Sequence, residues 1–402
     1  MKRISLTRSV AALAAIAVIV GACSGSATPT PAAPSAAPSA APSAAASAAP
    51  SVAPSVAPSA AAASPSAAAK TYTLGYSNGG SVGNGFREEQ VCTAKAQAKA
   101  SGAVSNLTVI HRNTDAAGQL SDIRSLIAKG VNAIVFNPND ANALNPALAE
   151  AHAAGIVTVS VDQYVTDPNA WNLYNNQVKY AELGAKWLFD QMGGTGTVWY
   201  TRGAAGASAD SDRDIGFKNI LKQYPNIKVV PNADGVFTGW DPAKTTQLAN
   251  DFIQSGQYDK IQGIWASGMG KQIVDAIKAA NKPFVPIADA DIGGFVAQLL
   301  DPTGFPGLKG AAVTNTASVG GAGITLALKL LNGEAVTATA GAKANTVLLD
   351  PQLLDNLTDA GNAGLKAWVS VPGMDPLWPL SLAIPGWTTY DPNTVPSSCK
   401  GA

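Results

Sequence analysis

The chain is predicted to fold as α/β, with two doubly wound lobes joined by a hinge, and three observations carry that expectation. Short apolar runs alternate with longer amphipathic ones over most of the chain after Lys70, the pattern of strands and helices around a parallel sheet. The alternation runs to Val161 and then restarts after Asn176. The span from Lys70 to Ala402 is also long enough for two units of ordinary domain size.

Taken in order, strands are predicted at Tyr72–Tyr76, Leu107–His111, Ala133–Phe136 and Val157–Val161. Helices are predicted between them at Phe86–Ala100, Gly118–Lys129 and Ala143–Ala153, with Asp115 and Asn142 placed as N-caps for the last two. The second series begins with a helix at Val178–Met192, a strand at Thr197–Tyr200 and a helix at Ser211–Gln223. It continues through strand Ile227–Val230, helix Pro242–Gln254, strand Ile261–Trp265 and helix Lys271–Ala280. Strands Phe284–Ala288 and Ala311–Thr314 and helix Val319–Leu331 complete it. Past Asp355 the regularity stops, and a segment containing Trp368, Trp378 and Trp387 receives no fold.

Ahead of the folded part, Lys2, Arg3 and Arg8 precede an apolar run, Val10–Val20, too short to span a bilayer comfortably, so residues 1–22 read as a secretory signal. The run ends in Val20-Gly21-Ala22-Cys23, which resembles a lipobox and implies a lipid anchor on Cys23; ordinary cleavage with Cys23 a bystander is the alternative. Residues 24–69 are almost entirely Ala, Pro and Ser, a composition that cannot bury a core and makes 23–69 a tether reaching roughly 40 Å. The expected location is extracytoplasmic, on the cell membrane.

Basic and acidic residues balance at 27 each, which gives no reason to expect nucleic acid and points to a small neutral partner. There is no Cys/His cluster for a metal, and Gly270-Lys271 is followed by Gln272 rather than the hydroxyl residue of a phosphate loop, so no cofactor is expected. With Cys23 lipidated, Cys92 and Cys399 remain as an even pair in an oxidising compartment, which suggests a disulfide. Two unrelated cysteines, one buried on a helix and one in the tail, are the alternative.

Ligand crevices in doubly wound sheets lie beyond the carboxyl ends of the strands. Along the chain stand Gly75-Tyr76-Ser77-Asn78, Gly83-Asn84-Gly85-Phe86-Arg87 and Ile127-Ala128-Lys129-Gly130-Val131-Asn132-Ala133-Ile134. Asn137-Pro138-Asn139-Asp140, the run from Ala154 to Asp162 and Arg213-Asp214-Ile215-Gly216-Phe217 follow. In order and spacing these segments resemble the type I periplasmic binding proteins of the ribose-binding kind, over Thr71 to about Asp350. The resemblance implies lobe 1 from residues 70–174 plus 318–346 and lobe 2 from 175–317 plus 347–355, with a C-terminal tail at 356–402. Hinge strands would cross near Tyr174, Ala317 and Val347.

It further implies a ligand site. Asp162, ending a buried strand where a lone carboxylate is costly, would accept hydroxyl hydrogen bonds, with Gln163 where relatives carry Arg or Asn; a helix-capping or surface-turn acid is its alternative. Arg213 would fork onto ligand oxygens; a surface ion pair with Asp210 or Asp214 is its alternative. Asp289 and Asn315 match an Asp and a Gln of the second lobe, and Trp265 would stack on a sugar face or pack in the core. Ser77, Asn78, Asn84, Phe86 and Arg87 in the first strand-to-helix region complete the set, with Arg87 in place of a second aromatic.

The function this implies is a non-enzymatic, monomeric, lipid-anchored receptor that captures a small sugar or polyol for an ABC transporter permease. A sensory receptor with a signalling partner uses the same ligand chemistry and is the alternative. A serine hydrolase is the remote one: Gly79-Gly80-Ser81-Val82-Gly83 has nucleophile-elbow spacing, with only His111 and His152 as candidate bases.

Overall fold

The computed structural model describes residues 70–79, 84–368 and 375–395. The chain divides into Met1–Ser66 and Ala67–Ala402, and every described residue belongs to the second unit. The signal, Cys23 and the tether lie outside the described residues, as do Ser81 and Cys399.

Lobe 1 is built from β1 (Tyr72–Gly79), α1 (Gly85–Ser101), β2 (Val104–Arg112), α2 (Ala116–Ala128), β3 (Ala133–Asn137), α3 (Asn145–Ala153), β4 (Val157–Val161) and β5 (Trp171–Asn175). Lobe 2 follows with α4 (Gln177–Gln191), β6 (Thr195–Arg202), α5 (Ser208–Leu221), β7 (Asn226–Val230), β8 (Val236–Phe237), α6 (Pro242–Gln254) and β9 (Gly263–Trp265). It continues with α7 (Gly270–Ala279), β10 (Ile287–Ala290), α8 (Gly293–Leu299) and β11 (Gly310–Val313). The chain then crosses back for α9 (Val319–Leu331) and β12 (Thr346–Leu349), and returns to lobe 2 for β13 (Leu353–Asp355) and α10 (Asp359–Ala367).

The first sheet runs β12-β5-β4-β3-β1-β2 and is parallel throughout. Such a sheet must be covered on both faces, and every residue of β3 is accordingly buried. One face carries Val91, Ala94, Val319, Ala322 and Leu326 from α1 and α9; the other carries Ile123, Leu126, Ala147 and Leu148 from α2 and α3. The helices α1 and α9 approach closely because Gly320 has no side chain; a Cβ there would lie 2.2 Å from the carbonyl oxygen of Gln90. The second sheet runs β13-β11-β10-β9-β6-β7, parallel except for the antiparallel edge strand β13, around a core of Trp199, Phe217, Trp265, Ile273 and Phe295.

Several expectations shift. The strand foreseen at Phe284–Ala288 forms three residues later, because Pro283 and Pro286 lack the N–H a sheet ladder needs. Asn142 does not cap α3: Asp140 holds the N–H groups of Asn142 and Ala143, at 2.7 and 2.8 Å, and the helix begins only at Asn145. Asp115 does cap α2, accepting from Gly118 at 2.8 Å. Residues 347–349, expected in lobe 2, belong to β12 and pair with β5 in lobe 1, so the third crossing falls between Leu349 and Leu353. The tail is not wholly irregular: Thr358 caps α10, whose Leu365 enters the lobe 2 core.

Candidate functional site

A cavity of about 510 Å³ lies where the carboxyl ends of the two sheets face each other. In each sheet it sits at the point where connections leave in opposite directions, β1/β3 in one and β6/β9 in the other. Lobe 1 contributes Asn84, Phe86 and Arg87 after β1, Asn139 and Asp140 after β3, and Asp162 and Gln163 after β4. Lobe 2 contributes the Ala204–Ala207 loop after β6, Arg213 from α5, Trp240, and Gly268 and Met269 after β9, with Asn315 on the second crossing.

Asp162 has φ of +66°, a conformation costly for a residue with a Cβ and often retained where a side chain must be aimed. Its Oδ2 accepts from Asn137 Nδ2 at 3.0 Å. Burial pushes its carboxyl up from the ordinary value, while Arg87, the Asn137 bond and Arg213 pull it back down. Arg87 is held by Asn78 Oδ1 at 3.0 Å and the carbonyl of Gly79 at 3.3 Å.

Arg213 opposes Asp162 from lobe 2. Its Nε donates to Gln177 Oε1 at 2.8 Å, and its guanidinium carbon lies 4.2 Å from the Tyr180 ring centroid and 5.6 Å from that of Trp240. The carboxylates considered as its surface partners are taken by Arg202, which pairs with Asp210 at 2.5 Å and with Asp214 at 3.5 Å. Arg213 Nη1 makes only long bonds to Ser267, 3.3 Å to Oγ and 3.4 Å to O, so its guanidinium keeps donors for the cavity. Asn315 accepts from Asn175 at 3.1 Å and Gln177 at 2.8 Å through Oδ1, which leaves its Nδ2 as the group open to a ligand.

Other expected site residues are placed differently. Asp289 does not line the cavity: its carboxylate oxygens accept the N–H groups of Gly268 at 2.6 Å and Gly270 at 2.7 Å, which shapes the loop into α7. Trp265 is a core residue, 2% exposed and edge-on to Tyr180 with ring centroids 5.9 Å apart. Ser77 is fully buried and takes a long contact of 3.4 Å from Gln119, while Asn78 braces Arg87 behind the cavity wall. Gln163 does line the cavity, but its amide is used in bridging the lobes. Its Nε2 donates to Pro138 O at 3.2 Å, and its Oε1 accepts from Ser208 N at 3.3 Å and Ser208 Oγ at 3.4 Å.

His111 lies 3.1 Å from Asn78 O through Nδ1 and 3.1 Å from Glu88 through Nε2, bracing β2 against α1, and His152 sits exposed in the last turn of α3. Cys92 on α1 is disulfide-bonded.

Two aromatic wall residues escaped sequence reading. Trp240, at φ of +53°, fixes its indole by donating to Ser267 O at 2.6 Å, and it fits only because Gly203 has no Cβ, which would lie 2.1 Å from the ring. Its signal was its position just before Asp241, which caps α6 by accepting from Lys244 at 2.8 Å. Trp378 arrives from the tail, far in sequence from any strand end that meets the cavity.

Residues 75–335 match the model of the periplasmic binding protein domain. The chain is 28% identical over 182 residues to the ribose import binding protein of Bacillus subtilis, covering 44% of this chain and 57% of that one. It is 30% identical over 182 residues to the xylitol-binding protein of Mycolicibacterium smegmatis, covering 44% and 51%. The chain thus spans little more than half the length of these curated relatives. Among solved structures, an ABC transporter solute binding protein from Mycobacterium smegmatis with bound glycerol superposes at a TM-score of 0.62 and 25% identity, covering 75% of this chain and 97% of that one. Two parallel-sheet lobes, a cavity at their switch points and a domain match over most of the folded chain lead to one conclusion: the chain belongs to the periplasmic binding protein family.

Proposed function

We propose that the chain is the extracytoplasmic receptor of an ABC importer and takes a small sugar or polyol between its lobes. The observation that carries this reading is the meeting of Asp162, Arg213 and Asn315 on one cavity of about 510 Å³. An acceptor, a planar cation and an amide donor match a cyclic array of hydroxyls, while Phe86 and Trp240 offer faces for the C–H side of a ring. The volume suits one small ligand. The names of the ribose and xylitol receptors support the same ligand class.

Ligand bridging both lobes would favour the closed arrangement, in which Gln163 reaches Ser208. We further propose that Cys23 carries the lipid anchor, that Cys399 is the disulfide partner of Cys92, and that the receptor is monomeric.

The test is a melting screen of the purified chain against D-ribose, L-arabinose, D-galactose, xylitol and small carboxylic acids. A ligand that binds only the folded state raises the melting temperature. A rise with one of the sugars or xylitol is expected; a response to the acids alone overturns the ligand class.

A further inference from the structure

After α10, residues 375–391 form no helix or strand of their own, so their backbone groups must find partners elsewhere. On lobe 2 they find α8. No side chain caps that helix, and the orphan N–H groups of Gly293 and Gly294 donate instead to Trp378 O at 2.9 Å and Pro376 O at 2.8 Å. Leu380 N donates to Asp291 O at 3.0 Å. A few residues on, the tail is fastened to lobe 1: Ser381 Oγ donates to Glu89 Oε1 at 2.6 Å, and Gln97 bonds Thr389 at 3.0 and 2.8 Å.

Between these fastenings Trp378 is held against the cavity. Its indole lies over the first residue of α1, where a Cβ on Gly85 would come 2.2 Å from Cδ1, and it packs against the cluster formed by Cys92, Ala96, Tyr390 and Val395. The side chain is half-buried, lines the cavity, and its N–H has no hydrogen-bond partner among the described residues. An aromatic ring fixed at its backbone, with a free donor and a face at a polar cavity, is suited to contact a ligand.

We propose that Trp378 is a third aromatic ligand contact, delivered by the C-terminal segment, which covers the apolar face of a ring-form sugar and favours ring sugars over acyclic polyols. This rests on the sugar-receptor reading above.

The test is calorimetric titration of the full chain, wild type, Trp378→Ala and Trp378→Phe, with D-ribose, L-arabinose, D-galactose and xylitol. The wild type is expected to bind a ring sugar; Trp378→Ala weakens that by about tenfold or more, Trp378→Phe by no more than about threefold, and xylitol is affected less. Where Trp378→Ala folds poorly, Gly85→Ala displaces the indole by clash, with the same ring-selective loss expected. Unchanged ring-sugar affinity overturns the contact and leaves the receptor reading standing. An equal loss for ring sugars and xylitol overturns stacking. A wild type that binds none of the four overturns the sugar reading, and this contact with it.

Discussion

Arg213 donates its Nε hydrogen to Gln177 Oε1 at 2.8 Å, and this bond, with longer ones from Nη1 to Ser267 at 3.3 and 3.4 Å, sets the plane of a guanidinium that has no carboxylate partner among the described residues. Arg213→Ala is expected to weaken binding of the sugar or polyol found in the melting screen by about 1.5–3 kcal/mol, the range for a charge-assisted bond. Arg213→Lys keeps the charge, loses the fixed fork and should fall between the two. Calorimetry decides it: equal affinity in wild type and the Ala variant removes Arg213 from the site.

Gln163 predicts a smaller effect of a different kind. Its contacts to Ser208 are long, 3.3 and 3.4 Å, so Gln163→Ala should cost only about 0.5–1 kcal/mol in affinity. The ligand-free protein should also become more open, read as a larger radius of gyration in solution scattering. Identical scattering curves for the two proteins would count against a bridging role.

Asp291 makes stability depend on pH. Its Oδ1 accepts from Asn315 N at 2.9 Å, its Oδ2 is buried without a hydrogen-bond partner, and burial pushes the carboxyl up to about 7. The folded chain therefore holds this proton more tightly than the unfolded chain, whose carboxyl titrates near 4. The contribution to stability is full below about pH 4 and is lost as pH rises through about 7. Relative to Asp291→Asn, which does not titrate, the wild type should lose on the order of 4 kcal/mol between pH 4 and pH 8. Urea unfolding of both proteins at the two pH values measures this, and a gap that does not change with pH refutes it.

Trp265 serves as the control for aromatic contacts. Because it fills the lobe 2 core against Tyr180 and Phe217, Trp265→Ala should cost roughly 3–5 kcal/mol of folding stability. The fraction that remains folded should keep the wild-type preference among sugars. A changed preference with unchanged stability would return Trp265 to the cavity wall.

What was legible in the sequence follows from how locally each feature is determined. Apolar periodicity with caps such as Asp115 located the helices and the buried strands, because burial on two faces writes a continuous apolar run. It missed β5, whose Asn172 is polar yet buried, since its Oδ1 takes hydrogen bonds from Ser160 at 2.6 Å and Val165 N at 2.9 Å. The rule that ligand groups follow strand ends brought Asp162, Arg87 and Asn315 to one cavity. It could not tell a carboxylate facing a cavity from one turned onto its own loop, as with Asp289, because that choice depends on where two glycine amides point. Nor could it reach Trp378, whose place is set by contacts nearly three hundred residues away in sequence, such as Ser381 to Glu89.

In the proposed receptor, Asn315 would serve two mechanisms at once. Its oxygen is bound by Asn175 and Gln177, which flank the first crossing, while its nitrogen is left to the cavity. A planar amide cannot turn one end without turning the other, so any bending at the crossing that shifts these two donors also re-aims the group a ligand would meet. In the proposed receptor, occupancy and hinge angle would then be coupled through the same rigid amide, with no relay between them.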